Sequence, residues 1–161
     1  LVAQSPADGY TLLMMSNTHT VNESLIPSKP LGLMKDFVGI APVNYSNLLL
    51  VVHPSVPVKT VGELVALAKS KPGKLNYASS GNGTPYHMAG ELFKFMAGID
   101  MTHVPYKGSS GARTDIVGGQ VDVMFDAETT MAAMSRDNKV RALAGTGLVR
   151  SANLQDLPTV A

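Results

Sequence analysis

The stretch Leu75-Asn-Tyr-Ala-Ser-Ser-Gly-Asn-Gly-Thr-Pro-Tyr-His-Met-Ala-Gly-Glu-Leu-Phe93 admits few folds. An apolar run of strand length meets a tight glycine-rich loop, and the loop meets a helix start. Thr84 stands at the N-cap position. Pro85 stands at the first helical position, where a missing N–H costs nothing. The small residues from Ser79 to Gly83 let another group approach the backbone closely. The N–H groups and positive dipole end of such a helix start favour an anion.

The same grammar recurs along the chain. Asp8-Gly9 reads as a turn and Tyr10–Met15 as a strand covered on both faces. Cap-capable residues follow, then a short helix over Val21–Ile26 that Pro27 and Pro30 end. Residues 28–36 read as loop, and Phe37–Val43 and Asn47–Val52 as strands. Thr60 and Glu63 form a capping box for a helix whose apolar face is Val61, Leu64, Val65, Leu67 and Ala68, and Pro72-Gly73 stops it. Strand Leu75–Ser79 leads to helix Pro85–Ala97, with Met88, Leu92, Phe95 and Met96 on one side and Gly98 at C′. Strand Met101–Tyr106, a loop through Gly111, helix Ala112–Val117 and strand Val121–Phe125 follow. Asp126 can cap a helix from Ala127 to Arg136, Ser110 can cap the helix before it, and Val140–Thr146 is the last strand. This order predicts an α/β fold with a largely parallel sheet.

In such sheets ligands bind beyond the carboxyl ends of strands. Four junctions qualify. They carry Ser16-Asn17-Thr18-His19, Ser80-Gly81-Asn82-Gly83-Thr84, Lys107-Gly108-Ser109-Ser110, and Asp126. Together they offer hydroxyl, amide and backbone N–H donors with one lysine, which suits an anionic small molecule. Asp126 would repel an anion directly. It serves through a water, a ligand hydroxyl or a ligand ammonium.

Several chemistries find no support. The 161 residues carry a net charge of +1 without a basic run, so nucleic-acid binding is not expected. Cysteine is absent, which removes disulfides, thiolate metal sites and a cysteine nucleophile. The longest apolar run, Leu48–Val52, is far short of the ~20 residues that span a bilayer. Gly81-x-Gly83 hints at a dinucleotide fingerprint, but Tyr86 stands where the third glycine belongs. Lys107-Gly108-Ser109 lacks the upstream glycine of a P-loop. His19, His53, His87 and His103 include no i, i+4 pair, so no metal site and no cofactor are expected. His19 and His87, at helix starts, are the histidines most suited to line a site. A hydrolase or isomerase using either as base, and a ligand-sensing regulatory domain, stay open as alternatives.

An ordered set of short motifs narrows this. Asp8-Gly-Tyr-Thr-Leu-Leu13, Lys35-Asp-Phe37, Pro54-Ser55, Lys71-Pro-Gly-Lys-Leu-Asn-Tyr-Ala78, Gly81-Asn-Gly-Thr84 with His87, His103-Val-Pro-Tyr-Lys-Gly-Ser109, Gly118-Gly-Gln-Val121, Phe125-Asp126, Arg141-Ala-Leu-Ala144 and Leu157-Pro-Thr-Val160 come in this order and spacing. Together they resemble the Bug, or TctC, family of periplasmic substrate-binding proteins of tripartite tricarboxylate transporters. The resemblance implies a type II periplasmic-binding fold, with two α/β lobes that close on a small carboxylate, and no enzymatic activity. It implies that residues 1–45 are part of lobe one, 46–147 lobe two, and 148–161 the start of a return toward lobe one. The chain begins at Leu1 without Met, and is expected to be a fragment lacking both ends.

By position, the resemblance carries ligand contacts to Ser16, Asn17, Thr18 and His19 in lobe one. In lobe two it carries them to Ser80, Gly81, Asn82, Gly83, Thr84, His87, Lys107, Gly108, Ser109 and Asp126. The backbone around Gly83 and Thr84 would hold a carboxylate, and Lys107 or Asp126 would tune the distal end. The implied partners are a small organic carboxylate and the membrane subunits of the transporter. A periplasmic monomer without nucleic acid or membrane insertion is implied as well. Ser110-Gly111 stands where the family often has Ala-Pro, and Ala127 where it often has Asn. These departures leave the ligand's identity open.

Overall fold

A computed structural model describes residues 1–28 and 31–160. Pro30, expected to help end the first helix, lies outside the described residues. The chain divides into two compact units. One comprises Leu1–Tyr45 together with Gly83–Pro85, and the other comprises Ser46–Asn82 with Tyr86–Ala161.

The first unit is built on helices α1 (Asn17–Leu25) and α2 (Leu33–Asp36). Asp8 and Gly9 make the expected turn: the Tyr10 N–H donates to Asp8 Oδ1 at 3.0 Å, and Gly9 has φ +85°. Helix α1 starts four residues earlier than expected, directly after Ser16. Helix α2 occupies a stretch expected to be loop, and the Asp36 carboxylate accepts from the Gly32 N–H at 2.7 Å across its first turn. The Glu23 carboxylate accepts from the Leu33 N–H at 2.9 Å, tying α2 to α1.

Tyr10–Met15 and Phe37–Val43, expected to be strands, form no ladder among the described residues. Apolar content alone does not make a strand, because the backbone groups also need a neighbour to pair with. Tyr10, Leu12 and Met14 are exposed, as are Val38, Ile40 and Val43.

The second unit is a three-layer α/β sandwich. Its strands are β1 (Leu48–Val52), β2 (Asn76–Ser79), β3 (Thr102–Pro105), β4 (Val123–Ala127) and β5 (Arg141–Gly145), in the spatial order β3-β2-β4-β1-β5. Strand β2 is parallel to β3 and to β4, whereas β1 runs antiparallel to both β4 and β5. The sheet is therefore mixed, with four strands pointing one way and β1 the other. Beyond β5, Thr159 forms a parallel bridge with Gly145.

Period-2 alternation sorts the strand residues into two cores. Leu50, Val52, Tyr77, Val123 and Phe125 face α3 (Val61–Ser70) and α4 (Pro85–Ala97), where Leu64, Ala68 and Phe93 complete the cluster. Leu49, Val51, Ala78 and Met124 face α5 (Ser109–Val117) and α6 (Glu128–Arg136), meeting Ala112, Ile116, Met131 and Ala132. Each fully buried Val, Leu, Ile, Phe or Met side chain among them contributes about 1.5–3 kcal/mol.

Helix α3 follows its sequence signature. Thr60 Oγ1 accepts from the Glu63 N–H at 3.1 Å, and the Glu63 carboxylate accepts from the Lys59 N–H at 2.6 Å. The reciprocal half of the box thus lands one residue earlier than the standard pattern. Helix α4 carries the expected one-sided stripe but does not bury it. Its stripe of Met88, Leu92, Phe95 and Met96 is exposed, and Gly90 and Phe93 face the core instead. The cause is Tyr77, whose ring fills the space beside Gly90 so closely that a Cβ there would lie 2.4 Å from Cε2. Helix α5 begins at Ser109, so Ser110 lies inside it and Gly108 is the N-cap. Strand β4 runs two residues further than expected. Asp126 therefore belongs to the strand, and Ala127 is the N-cap of α6.

Candidate functional site

Three of the four junctions singled out in the sequence meet by topology. Strands β2, β3 and β4 are parallel neighbours, so the loops leaving their carboxyl ends share one end of the second unit's sheet. Hydrogen bonds fasten two of these loops together. The Tyr106 N–H donates to the Ser79 carbonyl at 3.0 Å, and the Gly108 N–H to the Ser80 carbonyl at 3.1 Å. Ser80, Gly81 and Asn82 are thus gathered beside Lys107, Gly108 and Ser109. The loop after β2 turns through Gly81 (φ +128°) and Gly83 (φ +73°), in a region L side chains avoid. Thr84 directly precedes α4, and Gly83–Pro85 group with the first unit.

The loop is anchored from below. Ser79 is fully buried, and its Oγ accepts from the Gly81 N–H at 3.1 Å. The same Oγ is hydrogen-bonded to His103 Nε2 at 2.7 Å. The His103 ring stacks between Tyr77, at 4.8 Å, and His87, at 4.3 Å between centroids. His87, on the first turn of α4, is therefore a wall of this stack. Burial holds the His103 pKa below the usual histidine value, and the His87 charge adds to the effect. The Tyr77 hydroxyl donates to the Glu91 carboxylate, which also pairs with Lys94 at 2.9 Å. Burial pushes the Tyr77 hydroxyl pKa well up, and its bond to Glu91 reinforces the shift.

Asp126, at the end of β4, is fully buried and engaged within the unit. Arg113, one turn into α5, donates from Nε to Oδ2 at 2.5 Å and from Nη2 to Oδ1 at 3.0 Å. The Ala127 N–H donates to Oδ1 at 2.7 Å. Burial first, then the Asp126 charge, raises the pKa of the Tyr86 hydroxyl. The bonds to Asp126 hold the Arg113 guanidinium still more firmly protonated.

In the first unit, Ser16 precedes α1 and Asn17, Thr18 and His19 form its first turn. His19 is partly spent on its own helix, because Nδ1 accepts from the Ser16 N–H at 3.2 Å. Thr20 Oγ1 donates back to the Asn17 carbonyl at 2.7 Å.

The sequence reading gave no role to Arg113, Tyr86 or the Ser79–His103 pair. The available signal was spacing: Arg113 lies four residues after Ser109, on the same helix face, with an acid closing the next strand. Ser79 and His103 carry no such signal, since only the β2–β3 register brings Ser79 opposite Pro105 and so near His103. Among the described residues, no group of three or more His, Asp or Glu side chains is placed to hold a metal ion. None of their helices is long and apolar enough to cross a membrane.

Comparison with known proteins agrees with this architecture. The family model described as the tripartite tricarboxylate transporter family receptor, TctC, matches residues 1–161. A UPF0065 protein from the tcbD-tcbE intergenic region of Pseudomonas sp. (strain P51) is 37% identical over 161 residues, covering 100% of this chain and 48% of the relative. Protein BugT of Bordetella pertussis is 34% identical, covering 99% of this chain and 49% of its own length. The chain thus spans about half the length of the curated relatives it matches. Among solved structures, R. palustris Rpa4515 with adipate is 36% identical with a TM-score of 0.70, covering 72% of this chain and 39% of that one. MatC from Rhodopseudomonas palustris with bound malate is 29% identical with a TM-score of 0.80, covering 89% of this chain and 49% of that one.

Proposed function

The chain belongs to the tripartite tricarboxylate transporter family of receptors, TctC, and on that premise we propose that the whole protein is a periplasmic solute-binding protein that captures a small organic carboxylate. It delivers the acid to the membrane subunits of the transporter and makes or breaks no covalent bond. The observation that carries this reading is the convergence of three donor-bearing loops at the carboxyl ends of β2, β3 and β4. The adipate and malate in related structures point to the same ligand class.

The roles follow from the chemistry of each group. Thr84 and the backbone around Gly83, at the start of α4, receive a carboxylate. The helix end contributes roughly 0.3–1 kcal/mol, and up to ~2 when partly buried. Ser80, Gly81, Asn82, Gly108 and Ser109 supply hydroxyl, amide and backbone donors, and Lys107 supplies a positive charge. His87 shapes the wall beside them. Ser16, Asn17, Thr18 and His19 are the contacts offered by the first unit. Asp126 acts through Arg113, which holds both of its oxygens.

Isothermal titration of the whole protein with adipate, malate and citrate tests the reading. Saturable binding of at least one acid is expected, and no binding of any di- or tricarboxylate would refute it. In a protein that binds, Thr84→Val removes a hydroxyl donor to a charged group. Affinity is expected to fall about tenfold, equivalent to ~1.4 kcal/mol, with the folded state intact by circular dichroism. Unchanged affinity removes Thr84 from the site.

A further inference from the structure

Resting on the carboxylate-binding reading, we infer that Arg113 determines specificity by making the second unit's strand-end site select diacids over amino acids. A buried carboxylate at the end of a strand, left to itself, invites a cation: a ligand ammonium would be its natural partner. Asp126 is such a carboxylate by position, yet most of its acceptor capacity is already taken and none of its surface is exposed. An ionised carboxylate offers about four lone-pair sites. Arg113 Nε, Arg113 Nη2 and the Ala127 N–H supply three donors, and full burial closes the carboxylate to solvent.

The groups left at that end have the opposite character. Arg113 keeps 26% of its side chain exposed whereas Asp126 keeps none, so solvent meets the guanidinium side of the pair. Lys107 follows β3 at the same end of the sheet. Glu128, on the first turn of α6, accepts from the Ser151 hydroxyl. A ligand ammonium brought to Arg113 would meet a like charge and find no exposed acceptor on Asp126. A second carboxylate would meet a cation. Arg113 thus reverses the sign of charge that Asp126 alone would accept.

Two ligand pairs isolate this effect, because glutarate and glutamate, like succinate and aspartate, differ only by the α-ammonium. Titration of the whole protein is expected to show each diacid binding more tightly than its amino acid. Arg113→Met exposes the Asp126 charge and is expected to narrow or reverse that preference by about tenfold or more. Because the lone buried charge can cost stability, the double variant Arg113→Met/Asp126→Asn serves as a second probe. It is expected to lose the diacid preference without gaining amino-acid binding. Wild-type preference for the amino acids, or a diacid preference unchanged in either folded variant, overturns the inference and leaves the carboxylate reading standing. Wild-type binding of none of these acids, nor of adipate, malate or citrate, overturns both.

Discussion

At the residue scale, the stacked rings of His87, His103 and Tyr77 tie the loop after β2 to a titration. His103 is hydrogen-bonded to Ser79, and Ser79 accepts from the Gly81 N–H, so the ring supports the loop through one intermediate. Burial and the neighbouring His87 charge lower the His103 pKa in the folded protein. The unfolded chain then binds more protons than the folded one as pH falls through the ordinary histidine range, near 6.5. The contribution of His103 to stability is therefore complete above that range and declines as pH drops through it toward the lower folded value. His103→Gln is expected to flatten the fall of the urea midpoint between about pH 6.5 and 5 relative to the native chain. Parallel pH profiles for the two proteins would show that His103 does not titrate in the way described.

At the element scale, the second unit was largely legible in the sequence, and the first was not. Thr60, Glu63 and Pro72 declared α3 because caps and breakers are local chemistry. Strands β1 to β5 declared themselves through short apolar runs between turn residues. Tyr10–Met15 and Phe37–Val43 have the same apolar runs but no pairing, which lies outside local sequence. The exposed stripe on α4 marks another limit of local sequence. Met88, Leu92, Phe95 and Met96 have core-like spacing, but the sequence does not reveal that the Tyr77 ring sits against Gly90. The candidate site divides likewise: strand ends marked its loops, while the Arg113–Asp126 pair needed the tertiary fold to become visible. Hydrogen exchange on the 161-residue chain checks the contrast between apolar runs. Amides in Leu49–Val52 should exchange slowly, and those in Tyr10–Met15 and Phe37–Val43 quickly. Equal protection would mean that the latter segments are paired after all.

At the scale of the whole molecule, β1 and β5 have a consequence for how the second unit can be rearranged. Leu49 pairs with Gly145, and Gly145 in turn bridges to Thr159. The beginning and the end of the unit therefore lie about 10 Å apart, two strand spacings across one sheet edge. Such a module is nearly a closed ring. A four- or five-residue glycine–serine linker would span that gap, since about 3.3 Å per residue is available to an extended chain. The ring could then be opened at Asn138, in the exposed turn between α6 and β5. A circular permutant of residues 46–160 made this way is expected to fold cooperatively, with a circular dichroism spectrum matching the unpermuted segment. A permutant that stays unfolded while the unpermuted segment folds would count against it. If the ring closes, the order in which these strands are synthesised is incidental to the sheet they build, and new termini can be placed away from the loops at the carboxyl ends of β2, β3 and β4.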